Sequence, residues 1–180
     1  MPGHGAKRTL FCLIAAASLF SASVSSAQGV YQSAEEFLAG VFSGQVPKPQ
    51  RLRLNAKLKA DLRKILGHQM AVSRLRYWQQ DDRTAWILEA IGKTKPITTG
   101  LVVKEGKIER LKVLQFRESR GGEIRYPFFT DQFKGLGLDE HGQLNRSIDG
   151  ISGATLSVRA MKKLARIAIL LHEQVMSQEK

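Results

Sequence analysis

Apolar residues recur at helical spacing near both ends of the chain and crowd into β-branched and aromatic runs between them. Ser33 with Glu36 three residues later has the form of a capping box, and Phe37, Leu38, Val41 and Phe42 supply the apolar face of a short helix behind it. Pro47 and Pro49 end that helix and make a connector. Asn55 caps a second helix whose apolar side is Leu58, Leu62, Ile65 and Leu66, and Gly67 suits its C-terminal stop. The period then changes. Residues 74–78, 84–91, 97–103 and 108–116 read as strands, more by their β-branched and aromatic content than by strict alternation. Lys104-Glu105-Gly106-Lys107 joins the last two as a hairpin turn, and Asp81-Asp82 is a turn as well. Gly121 and Gly122 open a loop, residues 127–134 form a short helix, and Gly135, Gly137 and Gly142 break the chain again. From Thr155 to about residue 176, Val158, Met161, Leu164, Ala165, Ala168, Leu171 and Val175 share one face of a long helix, with Arg159, Lys162, Lys163 and Arg166 nearly opposite. The expectation is an α+β fold: a four-stranded, twisted antiparallel sheet, one face covered by packed helices, ending in a long C-terminal helix.

The first residues change the picture. Lys7 and Arg8 precede an apolar stretch over 9–19, and Ser21, Ala22, Ser23, Ser25, Ser26 and Ala27 follow. This is the order of a secretory signal peptide, with cleavage expected after Ala27. The apolar part is short for a membrane span, which needs about 20 residues; an uncleaved N-terminal anchor is the alternative. The division expected is a signal peptide over 1–27, an N-terminal helical segment over 28–67 and a ligand-binding domain over 68–180. Cys12 is the single cysteine, so the mature chain has none. That excludes disulfides, thiolate-held iron–sulfur clusters and c-type haem attachment. His68, His141 and His172 are too widely spaced for a metal site, and Trp78 and Trp86 fall in strands as core residues.

Among 180 residues there are 28 Lys and Arg against 16 Asp and Glu, a net charge of +12. Removing the leader's two positive charges leaves 12 − 2 = +10. Export argues against a nucleic-acid partner and toward anionic lipid headgroups or an acidic protein; simple solubility explains the charge equally well. Arg51, Arg53, Lys57, Lys59, Arg63 and Lys64 concentrate it around the second helix, where a solvated face is the plainer reading.

The chemistry lies in Asp149-Gly150-Ile151-Ser152-Gly153-Ala154-Thr155-Leu156-Ser157. A Gly/Ser segment runs straight into the first turn of the long helix. Amides there lack intrahelical partners, and the helix dipole adds partial positive charge. Such a terminus accepts a phosphate. Gly150 and Gly153 let the backbone approach a ligand, Ala154 leaves space, and Thr155 puts a hydroxyl at the same point. On spacing alone, a plain N-cap at Ser152 or Thr155 accounts for the segment just as well.

This stretch resembles the flavinylation motif of the FMN-binding domain family, which includes the small flavoprotein subunits of the Rnf and sodium-pumping NADH:quinone oxidoreductase complexes. The family pattern is Asp, two variable residues, Ser or Thr, Gly, Ala, Thr; Asp149, Ser152, Gly153, Ala154 and Thr155 match each fixed position. Glu118-Ser119-Arg120-Gly121 is similar to the family's Glu-Thr-x-Gly loop, with Ser119 in place of Thr, and Gln132-Phe133-Lys134-Gly135 to its Gln-Phe-x-Gly element. The similarity covers roughly 85–175 and looks like that of compact exported members. It implies a covalent FMN, joined through its phosphate to Thr155 by a Mg²⁺-dependent flavin transferase that uses FAD and releases AMP. Thr155 is then an attachment point and no catalytic residue. Asp149, Gly150, Ser152, Gly153, Ala154 and Leu156 would surround the link. Phe133, Leu136 and Leu156 would wall the ring, and Glu118, Ser119 and Lys134 would make polar contacts.

The function these features imply is electron carriage in the periplasm, between membrane-bound or periplasmic redox proteins, with peripheral contact to an anionic membrane surface and no nucleic acid. The protein is then more an electron carrier than a stand-alone enzyme. Two alternatives stay open: an FMN-dependent reductase of a small anionic substrate, which needs a pocket with convergent Arg residues beside the flavin, and a non-catalytic binding or regulatory module of the same fold.

Overall fold

The computed structural model describes residues 29–178; the expected signal peptide and Cys12 lie outside the described residues. Helix α1 (Ala34–Val41) starts on the expected capping box, Ser33 and Glu36 each bonding the other's backbone amide. After it comes a short strand, β1 (Gln50–Arg53), and then α2 (Ala56–Leu66), capped by the Asn55 side chain and closed by Gly67 at φ 87°. Strands β2 (Arg74–Gln80), β3 (Arg83–Ile91), β4 (Pro96–Lys104) and β5 (Lys107–Phe116) form a meander. The sheet order is β1-β2-β3-β4-β5, with antiparallel neighbours throughout. Glu105 and Gly106 both hold positive φ, 51° and 70°, which makes the β4–β5 connection a type I′ hairpin turn. A short helix, α3 (Pro127–Thr130), continues into a 3-10 turn, and α4 (Thr155–Gln178) ends the described chain.

The sheet has five strands where four were expected. The additional one is β1, in which Leu52 alone is buried among Gln50, Arg51 and Arg53. One buried side chain in a basic tetrapeptide carries no period, so its strand character comes from pairing with β2. The other edge is also partly covered: the amides of Tyr31 and Gln32 donate to the Leu114 carbonyl, and Phe116 donates to the Gly29 carbonyl.

Helices occupy both faces of the sheet, not one. On one face α2 and α4 pack with Trp86, Leu88, Leu101, Val103, Leu111 and Val113 in the main core. All seven apolar positions read from the α4 sequence are buried. Residues of opposite parity on the strands, Ala85, Val102 and Leu114, meet Phe37, Leu38 and Phe42 of α1 on the other face. Leu54, Leu58 and Leu62 belong to the same core as β3–β5, so the 28–67 segment and the sheet share one interior.

Candidate functional site

Helix α4 begins without a side-chain cap. The Ala154 amide donates to the Ile151 carbonyl at 2.9 Å, and Gly153 sits between them at φ 78°, the third position of a type II turn. The Ala154 carbonyl accepts from Val158 at 2.9 Å, which makes Ala154 the N-cap residue. A methyl group cannot accept a hydrogen bond, and alanine at this position costs about 1 kcal/mol against Ser, Thr, Asn or Asp. Among the described residues nothing accepts from the amides of Thr155, Leu156 and Ser157. Thr155 and Leu156 are exposed on this turn, while Ala154 and Ser157 are buried beneath it.

The loop after β5 is drawn tightly against that turn. Gly121 has φ 84°, and a Cβ there would lie 3.1 Å from the Ala154 Cβ and 3.3 Å from the Ser157 Oγ. Only glycine allows both the backbone angle and the approach. Two residues earlier in the same loop, Ser119 faces the cleft beside Thr155. Glu118 takes another role: its Oε1 accepts from the amides of Lys93 and Thr94 at 2.6 Å and of Lys95 at 2.8 Å. Its Oε2 accepts from the Thr94 hydroxyl at 3.1 Å. These bonds, that from the Lys95 amide foremost, hold the Glu118 carboxyl below its ordinary value against the opposing effect of desolvation. Glu118 therefore braces the β3–β4 turn and thereby places Lys93 at the same cleft.

The structure divides the remaining expected residues. Gln132 supports the segment before α4, its side-chain oxygen accepting from the Asp149 amide at 2.7 Å. Phe133 is fully buried and packs edge-on against Phe129, with ring centroids 5.5 Å apart; it lines no cleft at Thr155. Leu136 is buried as well. Lys134 is exposed, next to Gly135, whose amide donates to the Ile108 carbonyl at 2.8 Å. Ile108 and Phe116 stand near opposite ends of β5, about 26 Å apart at strand rise. The Glu118 loop and Thr155 are thus together, whereas Phe133 goes to the core and Lys134 to the far end of the sheet. The resemblance to the Gln-Phe-x-Gly element suggested both as ring contacts; in the structure Phe133 packs into the core and the turn after it takes Lys134 toward Ile108.

Two clefts meet at Thr155. One, of about 570 Å³, is lined by Lys93, Glu118, Ser119, Arg120 and the 153–157 backbone and side chains. The other, of about 510 Å³, lies between α4 and residues 143–150, and Gly150 and Thr155 belong to its wall. Sequence reasoning missed Lys93, which lies outside every motif and reaches the site only through the Glu118 brace. Asp149 and Ser152 are exposed beside the turn. Among the described residues no three His, Cys, Asp or Glu are grouped to hold a metal ion. No helix among them is long and apolar enough to cross a membrane.

The resemblance stated from the motifs is borne out by comparison with known proteins. Residues 92–170 match the family model of the FMN-binding domain. Among solved structures the fold is similar to that of Shewanella oneidensis NqrC, with a TM-score of 0.53 and 16% identity, covering 77% of this chain and 87% of that one. No curated protein matches the chain. The stretch that matches the FMN-binding domain model, residues 92–170, runs from the β3–β4 turn through the Glu118 loop into α4.

Proposed function

We propose that the protein is an exported electron carrier whose FMN is joined through its phosphate to the Thr155 hydroxyl. The observation that carries this reading is the first turn of α4. Among the described residues it has three amides with no protein acceptor, no side-chain cap, and an exposed threonine hydroxyl at the junction of two clefts. A capping Ser or Asp would have taken one of those amides; Ala154 leaves all three to a ligand's oxygens.

The residues present fit FMN. The amides of Thr155, Leu156 and Ser157 and the dipole of α4 would hold the phosphodiester charge, with Lys93 and Arg120 at the same cleft adding positive charge. Exposed Leu156 offers an apolar surface and Ser119 a hydroxyl. When bound, FMN supplies one- and two-electron transfer. Attachment requires a flavin transferase: the Thr155 oxygen forms a bond to the FMN phosphorus of FAD, the pyrophosphate bond breaks, AMP leaves, and the hydroxyl proton goes to solvent. Asp149 and Ser152, exposed before the turn, are open to a transferase's recognition. A covalent link suits a protein beyond the membrane, where a dissociated cofactor would be lost. The leader over 1–27 and the membrane or periplasmic redox partners belong to the same reading.

The test is intact-mass spectrometry of the mature chain co-expressed with a flavin transferase, beside Thr155→Val. Wild type should gain the mass of one FMN unit and the variant none. Because Thr155 is exposed, the variant's unfolding free energy should change by less than about 0.5 kcal/mol. Unmodified wild-type protein would overturn the covalent linkage.

A further inference from the structure

The second cleft at Thr155 has a composition that phosphate attachment does not call for. Arg146, Arg159, Lys162, Lys163 and Arg166 line it, and among the described residues no acidic side chain does. Three of the five are held in place by backbone oxygens. Lys163 donates to the Leu66 carbonyl at 2.7 Å, Arg166 to Gly142 at 2.8 Å and Arg146 to Gln132 at 3.2 Å. A carbonyl fixes a cation's position but leaves its charge uncompensated. Asp139, whose charge acts on Arg166, already accepts at Oδ1 from the amides of His141 and Gln143. Arg159 and Lys162 have no hydrogen-bond or ion-pair partner among the described residues, although Lys162 is half-buried. Like charges at positions three, four and seven apart on one helix repel, so this arrangement is unfavourable without a counter-charge. Between the cations stand Leu144, Ile148 and Val158, an apolar wall. A volume of about 510 Å³ is that of a small-molecule site.

We propose that this cleft binds a small organic anion with two or more negative charges, gripped by Arg159 and Lys162 with its carbon body against Leu144, Ile148 and Val158. It rests on the FMN reading in leaving the Lys93–Ser119 cleft to the cofactor and in placing the flavin at Thr155. Bound there, the anion lies against the Thr155 turn, which makes the cleft a substrate or effector position beside the flavin. Guanidinium groups match carboxylate and phosphate oxygens alike, so both are accommodated.

The experiment measures binding of citrate and AMP by calorimetry at low ionic strength. It uses the flavin-carrying chain, Thr155→Val, Arg159→Gln/Lys162→Gln, and a charge control, Lys57→Gln/Arg63→Gln, on exposed positions of α2. The expected result is saturable binding of at least one anion to the first two proteins and to the control. In the Arg159→Gln/Lys162→Gln protein it should weaken about tenfold or more, with a melting temperature in the absence of ligand that is no lower than wild type's, because like-charge repulsion on α4 is relieved. Absence of binding, or equal weakening in the α2 control, overturns the proposal. Binding to Thr155→Val but not to the flavin-carrying chain also overturns it, because the cleft then belongs to the cofactor. So does binding to phosphatidylglycerol vesicles without binding of any free anion. Failure of flavinylation appears in the mass measurement and leaves the binding comparison intact.

Discussion

Gly121 and Gly153 flank the same helix terminus, and both hold positive φ, 84° and 78°, yet they differ in what surrounds them. A Cβ on Gly153 meets nothing within 4 Å, whereas one on Gly121 meets Ala154 at 3.1 Å and Ser157 at 3.3 Å. Gly153→Ala should therefore cost only the left-handed backbone, about 1 kcal/mol. Gly121→Ala should cost about 1 kcal/mol more, since the loop must also move off α4; urea unfolding of the two variants measures the difference. Glu118 is the other residue whose role is set by its neighbours. Its carboxyl lies below the ordinary 4.5, so the folded state releases this proton more readily than the unfolded chain does. The stabilisation is complete above the usual carboxylate range and is lost as pH falls through the lowered value. Glu118→Gln should melt at a lower temperature at neutral pH and show a shallower decline between about pH 5 and 3.

At the level of elements, α1 depends on a gap in β4. A Cβ on Gly100 would lie 2.6 Å from the Phe37 ring, so the strand is bare where the helix side chain presses on it. Gly100→Val should destabilise the fold by about 1–3 kcal/mol. The loss should be concentrated in α1, seen as faster amide hydrogen exchange at Phe37–Val41 than in α4. The core of Ala85, Val102 and Leu114 on that face is small, and nothing in it substitutes for Phe37. Helix α4 is the opposite case: its 24 residues bury twelve side chains, which holds its N-terminus in place without a cap. Packing along the helix thus permits a terminus whose local chemistry is left to a ligand.

Across the whole molecule, His172 ties the far end of α4 to the sheet. Its Nε2 accepts from the Gly106 amide at 3.2 Å, which leaves the proton on Nδ1 to be donated to Thr84 Oγ1 at 2.9 Å. Thr84 Oγ1 also accepts from Trp86 Nε1 at 2.9 Å. Protonation would set a second N–H against that of Gly106. Burial pushes the imidazole below its ordinary 6.5, with the charge of Asp82 opposing. The unfolded chain thus takes up this proton first as pH falls. Stability contributed by neutral His172 is full above pH 6.5 and declines below it toward the lowered folded value. His172→Phe should remove that decline between about pH 7 and 5 and lower stability throughout by about 1–3 kcal/mol, since Gly106 and Thr84 lose their partner; melting curves across pH test both.

Sequence alone determined the elements whose signals are local. The Ser33–Glu36 box, the Asn55 cap with Gly67, the β4–β5 turn and the length of α4 depend on neighbouring residues, and each stands where caps, turns and period required. The motif from Asp149 to Thr155 was legible for the same reason: seven contiguous residues and one helix terminus contain it. Tertiary structure decided everything that joins distant residues. It paired β1, which has no period of its own, and sent α1 to the second face. It made Glu118, which lines the cleft at Thr155, also the brace of residues 93–95, and it buried Phe133 beside Phe129. It also gathered five cations into one cleft from a helix and a loop that the sequence shows separately. A hydrogen bond within a turn is specified by a few adjacent side chains, but which faces meet depends on burying the whole apolar surface at once.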